Sequence, residues 1–352
     1  MGHIAAFSGP YVAKGVSGSD EGVREKEIVA ADIGGTHARF GLATVRNGRV
    51  QRLDAVEVFN CADFPSLSHA WRAYGRSLGR RLPRAAGIAV ACPVSGQVLK
   101  MTNMPWVIRP DALRQELEVD DLTLINDFGA VGHAIAQAQT TELVPLCGPD
   151  RAMPDSGAIT IVGPGTGLGV ACILRSGGQD YTILETEGSH IDYAPLDEVE
   201  EAIHHFMRKR LKRVSVERLI SGMGLSALYE ALAHLEGRPT TIHDNKALWM
   251  AAMNGEDELA ARALERFCLS LGSFAGDMAL AHGASAVIIA GGVGARLAGH
   301  LPRSGFAQRF SAKGRFQGRM QDLPVKIVTT HDPGLFGAAA AYADGCCSHK
   351  PG

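Results

Sequence analysis

The chain has 352 residues, enough for two ordinary domains, and its content of 46% hydrophobic and 20% charged residues is that of a globular protein. A formal net charge of −2 gives no electrostatic case for binding nucleic acid or an acidic membrane, and no apolar run approaches the ~20 residues needed to cross a bilayer. Seven scattered cysteines without a Cys-x-x-Cys pair predict reduced thiols and a cytoplasmic protein.

The first half of the chain alternates short apolar strands with turns. Residues 1–27 mix glycine, serine and charge, which predicts a poorly ordered extension. Asn47-Gly48 is typical of a tight hairpin, and Pro65 begins a helical pattern with one apolar face. A hairpin is predicted to join strand 87–91 to strand 98–101. The other predicted elements are strands 28–32, 38–45, 56–59 and 122–125 and a helix at 111–117.

The same pattern restarts in the second half. Each half begins with a strand, a loop containing Gly-Thr, a strand, a turn and another strand, and the Gly-Thr pairs lie 130 positions apart, from Gly35 to Gly165. A repeat of domain size predicts a duplicated architecture. The helix predicted at 197–213 has an acidic start and a basic end, which suits the helix dipole better than a nucleic-acid patch. The remaining predictions are strands 158–162, 170–174, 181–184, 286–290 and 325–328 and helices across 225–236, 244–281 and 334–342.

The segment 122–128 joins an apolar strand to polar side chains. The run has no polar alternation, which is typical of a strand covered on both faces. Ligands of open α/β sheets gather beyond the carboxyl ends of such strands, so Asn126 and Asp127 are candidates for a binding cleft. The alternative is that they cap the helix predicted to begin at Gly129, since both residue types favour that position. One role does not exclude the other.

The two glycine-rich loops are candidates for phosphate binding. A Walker A loop needs Gly-Lys, which is absent from the sequence, and the glycine spacing also fails the dinucleotide fingerprint. Glycine allows close approach of the backbone to a ligand, successive amides form an anion-binding concavity, and threonine adds a hydroxyl donor. Asp32 precedes the first loop with no obvious cationic neighbour, which suits coordination of Mg²⁺ directly or through water. Either loop alone could be a plain hairpin turn, but two matching copies favour a phosphate clamp.

Nine short segments along the chain, taken in order, resemble those of one known family. They are Ala31-Asp32-Ile33-Gly34-Gly35-Thr36, Cys92-Pro93-Val94, Met101-Thr102-Asn103, Ile125-Asn126-Asp127-Phe128, Gly165-Thr166-Gly167-Leu168-Gly169, Glu187-Gly188-Ser189-His190, Glu217-Arg218-Leu219-Ile220-Ser221-Gly222, Ala290-Gly291-Gly292 and Asp332-Pro333-Gly334. The order resembles that of the bacterial glucokinase family, within the superfamily of actin, hexokinase and the heat-shock chaperone ATPases. The resemblance covers residues 28–342.

This resemblance implies an α/β fold with duplicated, actin/hexokinase-like (ribonuclease H-like) mixed sheets, in two domains around a cleft. The smaller N-terminal domain would be 28–130 and the larger C-terminal domain 131–345, with the last helix packing back on the first domain and 346–352 as a tail. The implied activity is ATP-dependent phosphorylation of the 6-hydroxyl of glucose with Mg²⁺, feeding glycolysis. The resemblance also implies a homodimer.

The resemblance further implies a role for each matching residue. Asp127 would be the general base and would have to face both halves of the molecule. The sugar would contact Asn103, Asn126, Asp127, Glu187, His190 and Glu217. The ATP phosphates would lie against Ala31, Asp32, Ile33, Gly34, Gly35, Thr36, Gly163, Gly165, Thr166 and Gly167, and the adenosine against Gly222, Ala290, Gly291 and Gly292.

Other functions are compatible with parts of this pattern. A kinase for another hexose, such as mannose or fructose, would use the same scaffold. A sugar-binding regulator without catalysis is disfavoured because Asp127 and both loops are retained. A filament-forming or chaperone ATPase is disfavoured because those proteins lack the cluster of Asn126, Glu187, His190 and Glu217.

Overall fold

The computed structural model describes residues 25–94, 96–101, 104, 106–138, 142–178, 180–329 and 333–348, with side chains to Gly345. The chain divides into two compact units. The first combines the described parts of Met1–Gln137 and Asp332–Gly352, and the second is the described part of Ala138–His331. This division comes at the end of a helix, later than the boundary after residue 130 that the sequence suggested. Residues 1–24 of the predicted extension and Asn103 lie outside the described residues, whereas Lys26 and Glu27, also assigned to that extension, begin the first strand.

The first unit is built on a sheet whose strands are β1 (Lys26–Ile33), β2 (His37–Arg46), β3 (Arg49–Asn60), β4 (Ala85–Val90) and β7 (Asp121–Asn126). Their order is β3-β2-β1-β4-β7. The first three strands form an antiparallel meander, and β4 and β7 run parallel to β1. The predicted hairpin is confirmed, because Asn47 and Gly48 have φ of 51° and 73°, as a type I′ turn requires.

One strand pairing predicted for this unit is wrong, and one strand lies at an edge that the sequence did not indicate. Strand 98–101 was expected to pair with 87–91, but β5 (Leu99–Lys100) pairs with β6 (Val107–Ile108) in a separate ribbon. β7 was expected to be covered on both faces, and Leu122 and Leu124 pack against one hydrophobic cluster while Ile125 packs against another, which contains Ala338 of the C-terminal helix. Each of its residues is still half-buried, because β7 is the edge strand of its sheet. An apolar run without alternation therefore identified the strand but not its place in the sheet.

In its described residues, the first unit has the helices α1 (Leu67–Ser77), α2 (Pro110–Glu116), α3 (Asp127–Gln137) and α11 (Pro333–Ser348), numbered along the whole chain. The predicted apolar face of α1 is buried, including Trp71 and Tyr74. α11 packs on β1, β4 and β7 and against α3. The fit is tight, because a Cβ placed on Gly87 would lie 2.2 Å from the carbonyl oxygen of Ala338. The Tyr342 hydroxyl of α11 also donates a hydrogen bond to Asp121 at the start of β7.

The second unit contains a six-stranded sheet of β8 (Leu143–Cys147), β9 (Ser156–Pro164), β10 (Leu168–Gly177), β11 (Asp180–Thr186), β12 (Ala286–Ile289) and β13 (Val325–Val328). The strand order is β11-β10-β9-β12-β13-β8. β9, β10 and β11 form an antiparallel meander, and β12 and β13 follow in parallel. β8, which the sequence did not predict, pairs antiparallel with β13 at the edge.

The helices of the second unit are α4 (Glu198–Leu211), α5 (Gly224–Leu235), α6 (Asn245–Asn254), α7 (Glu258–Ala281), α8 (Gly291–Arg296), α9 (Phe306–Ser311) and α10 (Gln317–Gln321). Buried charges link three of them. Glu200 of α4 is 2% exposed, and its Oε2 lies 3.3 Å from Arg309 Nη1 of α9. Asp197 accepts a hydrogen bond from Arg266 of α7 at 2.6 Å and another from Arg309.

The two units repeat one topology. In each, three meandering strands are followed by two parallel strands, in the orders β3-β2-β1-β4-β7 and β11-β10-β9-β12-β13. The predicted duplication is confirmed, and the mixed sheets with flanking helices are those of the predicted α/β fold. Within the described part of the chain, each helix is too short or too polar to cross a membrane.

Candidate active site

The first Gly-Thr loop connects β1 to β2. Gly34 N–H donates to the His37 carbonyl at 2.9 Å, and Cys61 N–H donates to the Thr36 carbonyl at 2.9 Å. Gly35 is half-buried and Thr36 is exposed, so the loop presents the threonine to solvent. Of the residues that lead into it, Ala31 and Ile33 are fully buried and serve the sheet. The loop is therefore a closed turn on a rigid strand, with an accessible hydroxyl at its tip.

Asp32 has a cationic neighbour, contrary to the expectation from sequence. Arg39 Nη1 lies 3.3 Å from Asp32 Oδ2, and the two residues are partners in the β1–β2 register. Asp32 also lies against Gly334 in α11, where a Cβ would be 2.8 Å from the Asp32 carboxyl carbon. Only 14% of the Asp32 side chain is exposed. The carboxylate therefore has a charged partner and lies in space that a side chain larger than glycine at position 334 would fill.

The carboxyl ends of β1, β4 and β7 lie level with one another. Ile33 pairs with Val90, and Val90 pairs with Asn126, so Asp127 begins α3 two strands away from the first loop. At a strand spacing of ~4.8 Å, β1 and β7 are roughly 10 Å apart. The first loop and Asp127 therefore lie at the same end of one sheet, beyond the carboxyl ends of its parallel strands.

Asn126 takes the capping role that the sequence left open. Its Oδ1 accepts from Phe128 N–H at 2.8 Å, the bond of an N-cap residue to the second helical residue, and its Nδ2 donates to the Cys92 carbonyl at 3.2 Å. The amide has a second N–H, which can still serve a ligand. Asp127 is half-buried in the first turn of α3. The pKa of Cys92 is raised by burial and, second, by the negative charge of Asp127.

The second Gly-Thr loop connects β9 to β10 in the second unit. Gly165 N–H donates to the Gly167 carbonyl at 2.8 Å, and Gly222 N–H donates to the Gly165 carbonyl at 2.7 Å. Thr166 is exposed, like Thr36 in the first loop. Gly163 lies within β9, one residue before Pro164 at the strand end. Both loops therefore share the strand context and the exposed threonine that the repeat predicted.

Two of the three glycines predicted to contact adenosine lie against this second loop. Gly291 has a φ of 77°, and a Cβ there would lie 2.5 Å from the Pro164 carbonyl oxygen, so the position requires glycine. Gly222 is held by Trp249, whose Nε1 donates to its carbonyl at 3.0 Å. Gly292 is exposed with open space beside it.

The predicted sugar ligands of the second unit lie on two neighbouring turns. Glu187 directly precedes the 3₁₀ turn Gly188–His190, and His190 ends it. His190 Nε2 lies 3.8 Å from Glu187 Oε2, and both side chains are more than half exposed. Val216 N–H donates to the Ile191 carbonyl at 3.0 Å, which joins this turn to the 3₁₀ turn containing Glu217. Glu217 Oε2 accepts from Leu168 N–H at 3.0 Å and so lies on the second Gly-Thr loop.

Several contacts in the site could not be read from the sequence. Arg39 is one residue of an alternating strand, and its pairing with Asp32 follows only from the β1–β2 register. Trp249 lies in a helix far along the chain from Gly222. Gly334 could be identified as a site residue from the sequence, because it belongs to Asp332-Pro333-Gly334, one of the segments that carry the family resemblance. Among the described residues, no group of three or more His, Cys, Asp or Glu side chains is arranged to hold a metal ion.

Comparison with known proteins gives a consistent match along the chain. A family model described as Glucokinase matches residues 29–345. The chain is 58% identical over 318 residues to a glucokinase from Zymomonas mobilis subsp. mobilis, covering 90% of this chain and 98% of that protein. A crystal structure of a glucokinase from an Antarctic psychrotroph superimposes with a TM-score of 0.79 at 34% identity, covering 90% and 98% of the two chains. A glucokinase from Balamuthia mandrillaris, solved in complex with glucose, shares the fold at 19% identity with a TM-score of 0.72, covering 91% and 94%.

Proposed function

The chain belongs to the glucokinase family, and from this premise we propose that it transfers the γ-phosphoryl group of ATP to the 6-hydroxyl of D-glucose. One observation carries the proposal. Asp127 and the first Gly-Thr loop lie at the same end of one sheet, because the carboxyl ends of β1, β4 and β7 are in register. A base and a phosphate-binding turn on one rigid element satisfy the main demand of phosphoryl transfer, which is positioning.

In the proposed reaction, Asp127 accepts the proton of the 6-hydroxyl while that oxygen bonds to the γ-phosphorus. The bond from phosphorus to the bridging oxygen breaks, and ADP leaves with that electron pair. A positioned base typically contributes ~10²–10⁴-fold to the rate. Asn126 supports the role of Asp127, since its own side chain caps α3 and fixes where the helix begins. Asn103 is proposed to bind the sugar on the family resemblance alone.

Mg²⁺ is proposed to be held by Asp32, directly or through water. The residues fit, because Mg²⁺ on nucleotides commonly uses one or two protein carboxylates and takes its other ligands from phosphates and water. When bound, the ion would neutralise charge on the β- and γ-phosphate oxygens. Arg39 and Gly334 would keep the carboxylate of Asp32 in one orientation.

The second unit is proposed to supply most of the binding contacts. Glu187, His190 and Glu217 offer carboxylates and an imidazole to sugar hydroxyls, which both donate and accept hydrogen bonds. The loop of Gly163, Gly165, Thr166 and Gly167 would hold ATP phosphates, as would residues 31–36 in the first unit. Gly222, Ala290, Gly291 and Gly292 would lie against the adenosine.

We also propose that the protein is a cytoplasmic homodimer. The dimer rests on family resemblance, and light scattering of the purified protein would test it. The cytoplasmic location rests on the cysteine usage and would be tested by fractionating cells.

ADP release with ATP, Mg²⁺ and a panel of hexoses tests the proposed reaction. Glucose should give the highest rate, and a higher kcat/KM for mannose or fructose would instead identify a kinase for that hexose. No ADP release with any sugar would favour a regulator without catalysis. Asp127→Asn should keep glucose binding and lose most of its turnover. If its kcat stays within threefold of the unsubstituted enzyme, the base has been assigned to the wrong residue.

A further inference from the structure

Glu217, predicted to bind sugar, also holds the second Gly-Thr loop. Its Oε2 accepts from Leu168 N–H at 3.0 Å, a hydrogen bond to a charged acceptor. A Cβ on Gly167 would lie 2.6 Å from the same oxygen and 3.4 Å from the Glu217 carboxyl carbon. The carboxylate therefore lies directly over the loop in space that only glycine leaves open.

Residues 216–222 contact the second Gly-Thr loop at both of its ends. Glu217 holds the Leu168 end through its side chain, and Gly222 holds the other end by donating from its N–H to the Gly165 carbonyl at 2.7 Å. The loop closes on itself between these contacts. Residues 216–222 are themselves held in place, because Val216 is buried and Trp249 Nε1 donates a hydrogen bond to the Gly222 carbonyl. The conformation of the loop therefore depends on residues about fifty positions further along the chain.

Glu217 has one oxygen left for a ligand. Within the described part of the chain, its Oε2 has a protein partner and its Oε1 has none, and the residue is half-buried. A carboxylate can accept through both oxygens at once, so a sugar hydroxyl can bind Oε1 while Leu168 N–H binds Oε2. A hydroxyl on Oε1 would restrict the side chain to the orientation that holds the loop.

We propose that Glu217 is a positioning residue for the second phosphate loop, through which an occupied sugar site tightens the binding of nucleotide. This inference rests on the proposed function for the sugar side, while the contact with the loop stands without it. Coupling between two sites is reciprocal, so nucleotide must tighten sugar binding by the same factor. A residue that only bound sugar would alter glucose affinity and leave nucleotide affinity unchanged.

Three substitutions separate these roles. Glu217→Gln keeps an amide oxygen that can accept from Leu168 N–H, whereas Glu217→Ala removes the acceptor. Gly167→Ala leaves Glu217 in the chain but adds a methyl group where the carboxylate lies, so the carboxylate must move away. Gly299→Ala is the matched control, because a Cβ at Gly299 in the same unit would have nothing within 4 Å.

The measurement is the affinity for the non-hydrolysable analogue AMPPNP with Mg²⁺, by calorimetry, with and without glucose. In the unsubstituted protein, glucose should tighten AMPPNP binding by about fivefold or more, the usual lower range of coupling. Without glucose, Glu217→Ala should lose roughly tenfold in AMPPNP affinity, as expected for a hydrogen bond to a charged group, and Glu217→Gln should stay within about twofold. In Gly167→Ala the effect of glucose should disappear, and in Gly299→Ala it should be unchanged.

Each result decides the matter. Unchanged AMPPNP affinity in Glu217→Ala without glucose, or a full glucose effect in Gly167→Ala, would overturn the inference. If Glu217→Ala does not fold, Gly167→Ala and Glu217→Gln still test the contact. An unsubstituted protein that releases no ADP with any hexose would refute the proposed function, whereas one that phosphorylates glucose without any coupling would refute this inference alone.

Discussion

Replacing Gly337 by alanine should move the helix that begins with Asp127. Gly337 lies in α11, and a Cβ there would be 1.8 Å from the carbonyl oxygen of Ala130 in α3. An ordinary contact of this kind begins at 3.4 Å, so the two helices would have to separate by about 1.6 Å. Both partners are helical backbone, so a change of side-chain rotamer cannot relieve the clash. The first unit must therefore shift α3 or lose packing.

The expected losses of stability and of turnover follow from these two outcomes. Overpacking of a tight interior typically costs about 1–3 kcal/mol of unfolding free energy. A displacement of ~1 Å at a reacting group can cost about 10²-fold in rate, so kcat in the coupled ADP assay should fall by about that factor. Gly345→Ala, in the same helix with nothing within 4 Å of the added Cβ, should change neither. Gly337→Ala with an unchanged urea midpoint and a kcat within threefold of normal would show that the α3–α11 contact does not position Asp127.

Three further predictions concern charge. Arg309→Met removes the closest cation from buried Glu200, so the unfolding free energy measured by guanidinium titration should fall by about 3–5 kcal/mol. A loss under about 1 kcal/mol would contradict this. Gly334→Ala should push the Asp32 carboxylate aside and weaken AMPPNP binding about tenfold with Mg²⁺ but not with EDTA; equal losses in both would remove Asp32 from the metal site. Burial lowers the pKa of His133 from 6.5 to about 4, so the folded state binds fewer protons than the unfolded state between these values. The unfolding free energy should then fall as pH drops from 6.5 to 4, by up to ~1.4 kcal/mol per pH unit, and a His133→Gln variant should show a correspondingly weaker dependence.

Local chemistry made much of the fold predictable. The Asn47-Gly48 turn needs positive φ at both positions, and those residue types tolerate it. The apolar face of α1 follows from helical spacing and is buried as predicted. The duplication could be detected because both loops keep Gly-Thr at the same place in the same order of strands. These features depend on residues close together in the sequence.

The features that sequence did not predict depend on tertiary contacts. β8 contains Pro145, which argues against a strand, yet it is tolerated because β8 is at the edge of its sheet. The short helices α8, α9 and α10 have too few turns to show a periodic pattern. The Asp32–Arg39 pair and the hold of Glu217 on Leu168 arise from strand register and from a distant turn. The sequence could therefore indicate that Asp32 and Glu217 are functional candidates, but not which residues they contact.

The two copies of the repeat have diverged in chemistry more than in topology. Shifted by the 130 positions of the repeat, Asp32 corresponds to Val162 and Arg39 to Gly169, so the charged pair beside the first loop has no equivalent beside the second. The second loop obtains its carboxylate from Glu217, which lies outside the repeated strands. Asp127 likewise follows β7, the last strand of the five-stranded sheet in the first unit, whereas the helix after β13 is α11, which belongs to the first unit. The first copy thus carries the candidate metal ligand and base, and the second carries the residues suited to binding. Exchanging the two loops should therefore abolish activity even where the backbone tolerates it.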